Sequence, residues 1–266
     1  MPFIENNSVR IRFESNGNGT PLILVPGFAS GAWLWFCQIE FLSKHFRVLT
    51  FDPRGVGEST IKDEFATASI EGISSDIKLL IDELELDKVN ILGTSFGGFV
   101  AQKFALENAS RVENLILACT SFGGPNHVAP DSEVLAAFAA TDGLNTEERI
   151  RKYYSPTFSP EFLAEHPETV EQVINLRLGC RVPQSVYMQQ LVSATTFNFE
   201  DSDKNIQTRT LVLSGTMDTI VPLKNSENLA SVLPNAHLKL IEGGSHLFFI
   251  EKPKEFNLCV EEFINE

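Results

Sequence analysis

The sequence predicts an α/β fold in which a mostly parallel, doubly wound sheet of eight strands carries helices on both faces. Short, continuously apolar runs recur along the chain, the first at residues 22–25, and amphipathic segments separate them. Apolar runs of this length are typical of strands buried on both sides, and strands that alternate with helices build parallel sheets through right-handed crossovers. The alternation stops only between residues 122 and 205, where no strand pattern is present.

The predicted strands are an antiparallel edge hairpin followed by six further strands. In residues 2–14, apolar side chains alternate with arginines after Asn6-Asn7, which indicates a hairpin with one covered face. The other strands are predicted at 22–25, 48–51, 89–92, 115–118, 211–214 and 238–241. Amphipathic spacing predicts the helices of the core at 32 to about 44, 70–84, directly after 95, 224–233 and 253–263.

The middle of the chain is predicted to be a helical insertion between core strands 6 and 7. Prolines at 156, 160, 167 and 183 separate its helical segments, because proline ends or starts a helix. The chain therefore divides into a core domain of residues 1–121 and 206–266 and a helical subdomain of residues 122–205. The helical segments are predicted near 131–140, 146–154, 160–180 and 183–195.

The length and charge of the chain limit the classes of function. With 266 residues, 43% of them hydrophobic, the chain is long enough to bury one main core. The formal net charge of -14 argues against a nucleic-acid partner, since proteins that bind phosphate backbones need clustered Lys and Arg. We expect a small-molecule partner, and the sequence leaves the choice between a monomer and a homo-oligomer open.

Cysteine usage and the N-terminus indicate a cytoplasmic protein. The four cysteines are scattered without a C-x-x-C spacing, which is typical of reduced core thiols. The first residues show neither the basic start nor the apolar stretch of a signal peptide, and the longest apolar region, 22–36, contains Pro and Gly residues that disqualify it as a membrane helix. The five histidines form no cluster with metal-ligand spacing, so no metal is expected.

Ser95 lies between Gly93 and Gly97 at the junction of a predicted strand and a predicted helix. A nucleophile held in such a sharp turn leaves no space for side chains two positions away, so both flanking residues must be small. Gly98 would let the following helix approach the sheet closely. The pattern is short, and partners elsewhere in the chain must decide whether Ser95 is catalytic.

Two later loops supply the partners that a serine nucleophile needs. A serine hydroxyl requires a base within hydrogen-bond reach, and the base requires a carboxylate that orients it. Asp218 follows the strand at 211–214 and His246 follows the strand at 238–241, and the ends of parallel strands share one edge of the sheet. The alternatives are that Asp218 forms a turn or caps the N-terminus of a helix, and that His246 is a buried structural histidine. Glu242 is the other acid near the histidine in sequence.

With these residues, the sequence resembles the α/β-hydrolase superfamily over nearly its full length. The matching motifs are Gly-Thr-Ser95-Phe-Gly-Gly, the loop from Asp52 to Ser59, the acid loop from Gly215 to Pro222, and Gly244-Ser-His246 followed by Glu251-x-Pro253. The helical insertion is similar to the family's cap, and residues 158–167 resemble caps of the 3-oxoadipate enol-lactonase and esterase branch. The resemblance implies an α/β-hydrolase fold with a helical cap.

Carried over to this chain, the resemblance implies Ser95 as nucleophile, His246 as general base and then acid, and Asp218 as the orienting carboxylate. It also implies an oxyanion hole made by the main-chain N–H groups of Phe28 and Phe96, and no cofactor. Many relatives have His-Gly where this chain has Pro-Gly before Phe28, so the oxyanion loop needs a different support.

Aromatic and apolar residues on the loops of the active edge and in the insertion predict an apolar substrate pocket. Arg177 and Arg181 are candidates to meet a substrate carboxylate, with surface solvation as the alternative. The predicted pocket residues are Trp33, Phe122, Phe138, Met188, Leu191, Val221 and Leu247.

We therefore expect a serine hydrolase that cleaves a small to medium carboxylic ester or lactone through an acyl-enzyme. Because position 95 is a serine, membership of the family branches whose nucleophile is an aspartate is disfavoured. Three alternatives stay open: a cofactor-free haloperoxidase or perhydrolase, a hydrolase of C–C bonds, and a receptor-like binding protein with slow turnover.

Overall fold

The computed structural model describes residues 2–139, 142–202 and 205–266, except for the side chains of residues 137–139. Its strands form one twisted sheet, and the bounds are β1 (Phe3–Glu5), β2 (Val9–Asn16), β3 (Pro21–Val25), β4 (Arg47–Phe51), β5 (Thr60–Ile61), β6 (Val89–Thr94), β7 (Val112–Ala118), β8 (Arg209–Gly215) and β9 (Ala236–Ile241). The strand order is β1-β2-β4-β3-β6-β7-β8-β9, with β5 paired to β2. All pairs from β4 to β9 are parallel, which confirms the predicted α/β sheet.

Helices cover both faces of the sheet, and five of them lie between β7 and β8 in the described part of the chain. No helix in the described ranges is both long and apolar enough to cross a membrane. The helices are α1 (Ile39–Leu42), α2 (Ile70–Glu83), α3 (Phe96–Glu107), α4 (Ser132–Ala139), α5 (Thr146–Tyr154), α6 (Pro160–Glu165), α7 (Pro167–Gly179), α8 (Gln184–Thr196), α9 (Leu223–Val232), α10 (Phe248–Glu251) and α11 (Pro253–Asn265). Short 3-10 turns lie at Ala32–Trp35, Ala109–Arg111 and Ser155–Thr157.

The central strands alternate their side chains between two apolar layers. Ile23 and Ile91 pack with α2 and α3 on one face, whereas Leu24 and Leu92 pack with α11 and neighbouring segments on the other. All four side chains are fully buried. Burial on both faces explains why these strands read as continuous apolar runs and not as alternating patterns.

The predicted strands are found, with one addition. The antiparallel hairpin at the edge is confirmed by the pairing of β1 with β2. The strands counted as 6 and 7 in the sequence are β7 and β8, because the short β5 adds one to the count. With two residues, β5 is too short to produce a period in the sequence, and it is recognisable only by its pairing with Val9 and Arg10 of β2.

The single helix predicted from 32 to about 44 is wrong. The chain forms the 3-10 turn Ala32–Trp35 and the four-residue helix α1 instead. Tertiary hydrogen bonds fix both pieces: the Ala32 N–H donates to Asp52 at 2.9 Å, and the buried amide of Gln38 donates to the Phe249 carbonyl at 2.5 Å. Contacts with distant residues therefore override the local helical pattern.

The helical segment predicted over 160–180 is two helices. Helix α6 ends at Glu165, and α7 begins at Pro167 with His166 between them. Pro167 stands at the first position of α7, where the missing N–H of proline costs no hydrogen bond. The other predicted helices of the 122–205 region lie within a few residues of α4, α5 and α8.

The first turn of α3 lies directly against the end of β3. A Cβ atom added at Gly97 would stand 2.5 Å from the carbonyl oxygen of Pro26 and closer still to that of Val25. A Cβ atom at Gly98 would meet the Thr120 side chain at 2.5 Å. These two glycines therefore let the first turn of the helix approach its neighbours closely, as the sequence predicts for Gly98.

We expect Gly97→Ala to destabilise the protein by about 1–3 kcal/mol, because the new methyl group meets main-chain carbonyls that cannot move aside without shifting β3. The measurement is the free energy of unfolding in urea. Gly179→Ala is the matched control, since Gly179 ends α7 with nothing within 4 Å of an added Cβ atom. Equal stability of the two variants would contradict the close approach.

Candidate active site

Ser95 occupies a strained backbone position between β6 and α3. Its φ of 52° and ψ of -120° are rare for a residue other than glycine, and such strain persists only where neighbours hold the chain. The Ser95 N–H donates to the Ala118 carbonyl at 2.9 Å. The Ser95 carbonyl accepts hydrogen bonds from the Gly98 N–H at 2.8 Å and from the Thr120 hydroxyl at 2.9 Å. Strand β7 and helix α3 together therefore fix the turn.

His246 and Asp218 form a buried pair. The Nδ1 atom of His246 lies 2.9 Å from Oδ2 of Asp218, and both residues are buried. The other carboxylate oxygen, Oδ1, accepts the main-chain N–H groups of Ile220 and Val221 at 2.9 Å each. Because the carboxylate holds Nδ1, the imidazole presents Nε2 as its remaining basic atom.

Glu242 points to a different partner. Its carboxylate accepts a hydrogen bond from the Thr216 hydroxyl at 3.4 Å on the surface. Of the two acids considered from the sequence, the structure places Asp218 beside the histidine.

The loop that carries His246 is tied to the chain between α5 and α6. Glu251 accepts the Ser245 N–H at 2.7 Å with one carboxylate oxygen and the Ser159 N–H at 2.5 Å with the other. The Leu247 N–H donates to the Thr157 carbonyl at 3.0 Å. Residues on both sides of His246 are therefore held by main-chain hydrogen bonds, and Glu251 of the Glu-x-Pro motif connects the two segments.

Phe28 lies in a tight turn at the end of β3. The Ser30 N–H donates to the Gly27 carbonyl at 3.3 Å, and Ala29 adopts a φ of 51°. The Ala29 N–H donates to Oε1 of Gln190 at 2.8 Å, so helix α8 supports this loop. The rings of Phe28 and Phe96 meet edge to face, with centroids 6.1 Å apart.

The main-chain N–H groups of Phe28 and Phe96 are available as donors. Within the described part of the chain, neither group donates to a protein acceptor. Phe96 is the first residue of α3, and the N–H groups of a first helical turn have no acceptor within the helix. The positive end of the α3 dipole also lies at this point, which favours negative charge.

The loop from Asp52 to Ser59 is a structural brace. The Asp52 carboxylate accepts the Ala32 N–H at 2.9 Å and the Glu58 N–H at 3.1 Å. Arg54 makes a two-point contact with the buried carboxylate of Asp76, at 2.7 and 3.0 Å. The charged side chains of Asp52 and Arg54 are therefore both engaged in hydrogen bonds that hold the fold together.

The residues predicted to line a pocket are distributed between the core, the loops and α8. Phe122 and Leu247 are buried, Trp33 and Val221 are half-buried, and Met188 and Leu191 are exposed on α8. Phe138 belongs to α4, and its side chain lies outside the described residues. Val221 and Leu247 adjoin the pair of Asp218 and His246 along the chain.

Tyr187 and Gln190 are the site neighbours that sequence reasoning missed. The Tyr187 ring packs edge to face on Phe28, with centroids 4.7 Å apart. Burial raises the pKa of Tyr187, whereas the charge of Arg177 acts to lower that pKa. Of the two arginines considered for a substrate carboxylate, Arg177 donates to the Cys180 carbonyl at 3.2 Å, and Arg181 is exposed. No periodic pattern in the sequence marks either residue, because the buried positions of α8 are one apolar residue, Val186, and one polar residue, Gln190.

Cys119 is buried beneath the site as a thiol. Its Sγ atom lies 2.9 Å from the Thr94 hydroxyl, and burial together with the Asp218 charge raises the pKa of Cys119 far above its usual range. A thiol with a raised pKa is a poor nucleophile. The described residues contain no group of three His, Cys, Asp or Glu side chains that could hold a metal ion.

Comparison with known proteins agrees with this fold. The family model described as alpha/beta hydrolase fold matches residues 20–253. The chain is 28% identical to the poly(3-hydroxyalkanoate) depolymerase of Ectopseudomonas oleovorans over 99% of this chain and 91% of the relative.

Two solved structures share the fold over almost the whole chain. The thermophilic esterase from Thermogutta terrifontis is 25% identical, with a TM-score of 0.83 over 100% of this chain and 98% of that chain. The enol-lactonase from Burkholderia xenovorans LB400 is 23% identical, with a TM-score of 0.85 over 100% of both chains. Because the family model matches most of this chain, the chain belongs to the alpha/beta hydrolase fold family.

Proposed function

We propose that the protein is a serine hydrolase that cleaves a small to medium carboxylic ester or lactone. The observation that carries the proposal is the buried hydrogen bond of 2.9 Å between His246 and Asp218, on the same sheet edge as the strained turn of Ser95. A histidine oriented in this way is the base that a serine hydroxyl needs. No step of this reaction requires a cofactor.

The reaction proceeds in two halves. The Ser95 oxygen attacks the carbonyl carbon while its proton passes to Nε2 of His246, and the charge of the resulting imidazolium is stabilised by Asp218. The C–O bond to the alcohol then breaks, and the alcohol leaves with the proton from His246. Water attacks the acyl-enzyme, again losing a proton to His246, and the acid is released as Ser95 regains its proton.

The N–H groups of Phe28 and Phe96 form the oxyanion hole in this proposal. They lie on the two chain segments that meet at the first turn of α3, and they lack protein acceptors in the described structure. Donors placed where negative charge develops stabilise the tetrahedral intermediate, and the loss of one such donor typically costs about 3–4 kcal/mol.

We propose that residues 122–205 are a cap subdomain that covers an apolar site. Tyr187 and Gln190 of α8 contact the Phe28 loop, and Thr157 and Ser159 contact the His246 loop. The rings of Phe28, Phe96 and Tyr187 favour an apolar acyl group. The depolymerase, esterase and enol-lactonase names of the similar proteins fit a substrate with a carboxylic ester or lactone bond.

We propose a cytoplasmic location on the basis of the thiols. All four cysteines are free. Unpaired cysteines suit a reducing compartment, where structural disulfides are rare.

Ser95→Ala is expected to lower the turnover of p-nitrophenyl esters by about 10⁶-fold, because the acyl-enzyme can no longer form. The measurement is the steady-state rate with p-nitrophenyl esters of increasing acyl length. Ser231→Ala, on the exposed face of α9, is the control and is expected to keep full activity. Hydrolysis that survives in Ser95→Ala would sink the proposal.

Asp218→Asn is expected to lower kcat by about 10⁴-fold, because an amide leaves His246 in the wrong tautomer without changing its position. Glu242→Gln, which removes the other nearby acid from the surface, is expected to keep the wild-type kcat. A larger loss in Glu242→Gln than in Asp218→Asn would assign the carboxylate to Glu242 and refute the pairing proposed here.

A further inference from the structure

Helix α8 is attached to the core through polar side chains and through the buried side chain of Val186. Three of the polar side chains accept main-chain N–H groups, one from the turn after β3 and two from the start of α2, and all three face inward from one side of the helix. The bonds are Gln189 to Ala68 at 2.9 Å, Gln190 to Ala29 at 2.8 Å and Ser193 to Ile70 at 3.0 Å.

We propose that Gln190 is a positioning residue for the oxyanion donor Phe28. This inference rests on the proposed function, since it concerns the hole in which the tetrahedral intermediate is stabilised. Of the three bonds, only that of Gln190 ends in the turn that contains Phe28. Gln190 is 1% exposed, so water cannot replace its carbonyl oxygen as the acceptor.

The backbone of the turn explains why an external acceptor is needed. With the Ser30 N–H bonded to the Gly27 carbonyl, Ala29 occupies the third position of a four-residue turn, and its φ is positive. Turns with a positive φ at this position usually have glycine there, because a Cβ atom makes the conformation unfavourable. Ala29 therefore tends to return to a negative φ.

A return of Ala29 to negative φ would rotate the peptide unit between Phe28 and Ala29. This rotation changes ψ of Phe28, and the preceding peptide unit, which carries the Phe28 N–H proposed as oxyanion donor, is coupled to it through the turn closed by the Ser30–Gly27 hydrogen bond. The bond from the Ala29 N–H to Gln190 holds this peptide unit in its present orientation. Tyr187, one turn earlier in α8, packs against the Phe28 ring, so one helix fixes the main chain and the side chain of this residue.

The test is Gln190→Met, which keeps the length of the side chain and removes the acceptor. We expect kcat for p-nitrophenyl esters to fall by about 10-fold or more with KM little changed, because a displaced oxyanion donor weakens binding of the transition state and not of the ester. Gln189→Met and Ser193→Ala are matched controls that lose a bond of the same kind from the same helix. They are expected to keep kcat within about two-fold of wild type.

Two further variants separate positioning from general stability. Gln190→Asn keeps the amide but withdraws its oxygen by one methylene group, and an intermediate kcat is expected. Adding Ala29→Gly to Gln190→Met should restore several-fold of the lost kcat, because glycine adopts a positive φ without strain. The inference is overturned if kcat follows thermal stability equally across the Gln189, Gln190 and Ser193 variants, or if Ala29→Gly restores nothing.

Labelling of Ser95 by a fluorophosphonate distinguishes this inference from the proposed function. The label forms its bond through a transition state that also places negative charge in the oxyanion hole. If the wild type hydrolyses no ester yet Gln190→Met alone slows labelling, the proposed function fails and the role of Gln190 holds. If esters are hydrolysed and Gln190→Met matches the wild type in both assays, the role of Gln190 fails alone.

Discussion

The site depends on how closely the first turn of α3 approaches the end of β3. No side chain fits between Gly97 and the carbonyls of Val25 and Pro26, so the two segments meet main chain to main chain. This contact sets the turn that carries Ser95 beside the turn that carries Phe28. Because this contact is made by main-chain atoms, a substitution that widens it would displace both the Ser95 turn and the Phe28 turn.

The 122–205 region supports three of the loops at this edge, those that carry Phe28, Asp218 and His246. Gln190 bonds to the Phe28 turn, and Thr157 and Ser159 bond to Leu247 and Glu251, which follow His246. The Thr219 hydroxyl, next to Asp218, donates to the Pro156 carbonyl at 3.4 Å. The loops of the sheet edge therefore obtain part of their support from chain that is remote in sequence. A substitution far from Ser95 can change the site through these bonds.

The sequence predicts the features that depend on local pattern. Buried parallel strands produce apolar runs, and the glycines around Ser95 follow from steric requirements that act within a few residues. Gln190 could not be predicted, because a polar residue that turns inward on a helix leaves no periodic signal. The prediction of one continuous helix over 32–44 was wrong for a related reason. The side chains that fix this segment, Asp52 and Gln38, act through tertiary contacts.

The way α8 is attached has a consequence for how the protein responds to temperature. Its buried residues are Val186, in a small apolar cluster with Val56 and Ala68, and Gln190, which bonds to the Phe28 turn. Met188, Leu191 and Val192 are exposed. Segments with few buried apolar contacts open at a lower free energy than the whole fold does. Warming is therefore expected to loosen the Phe28 turn before the sheet unfolds, so that activity declines while the fold is still intact.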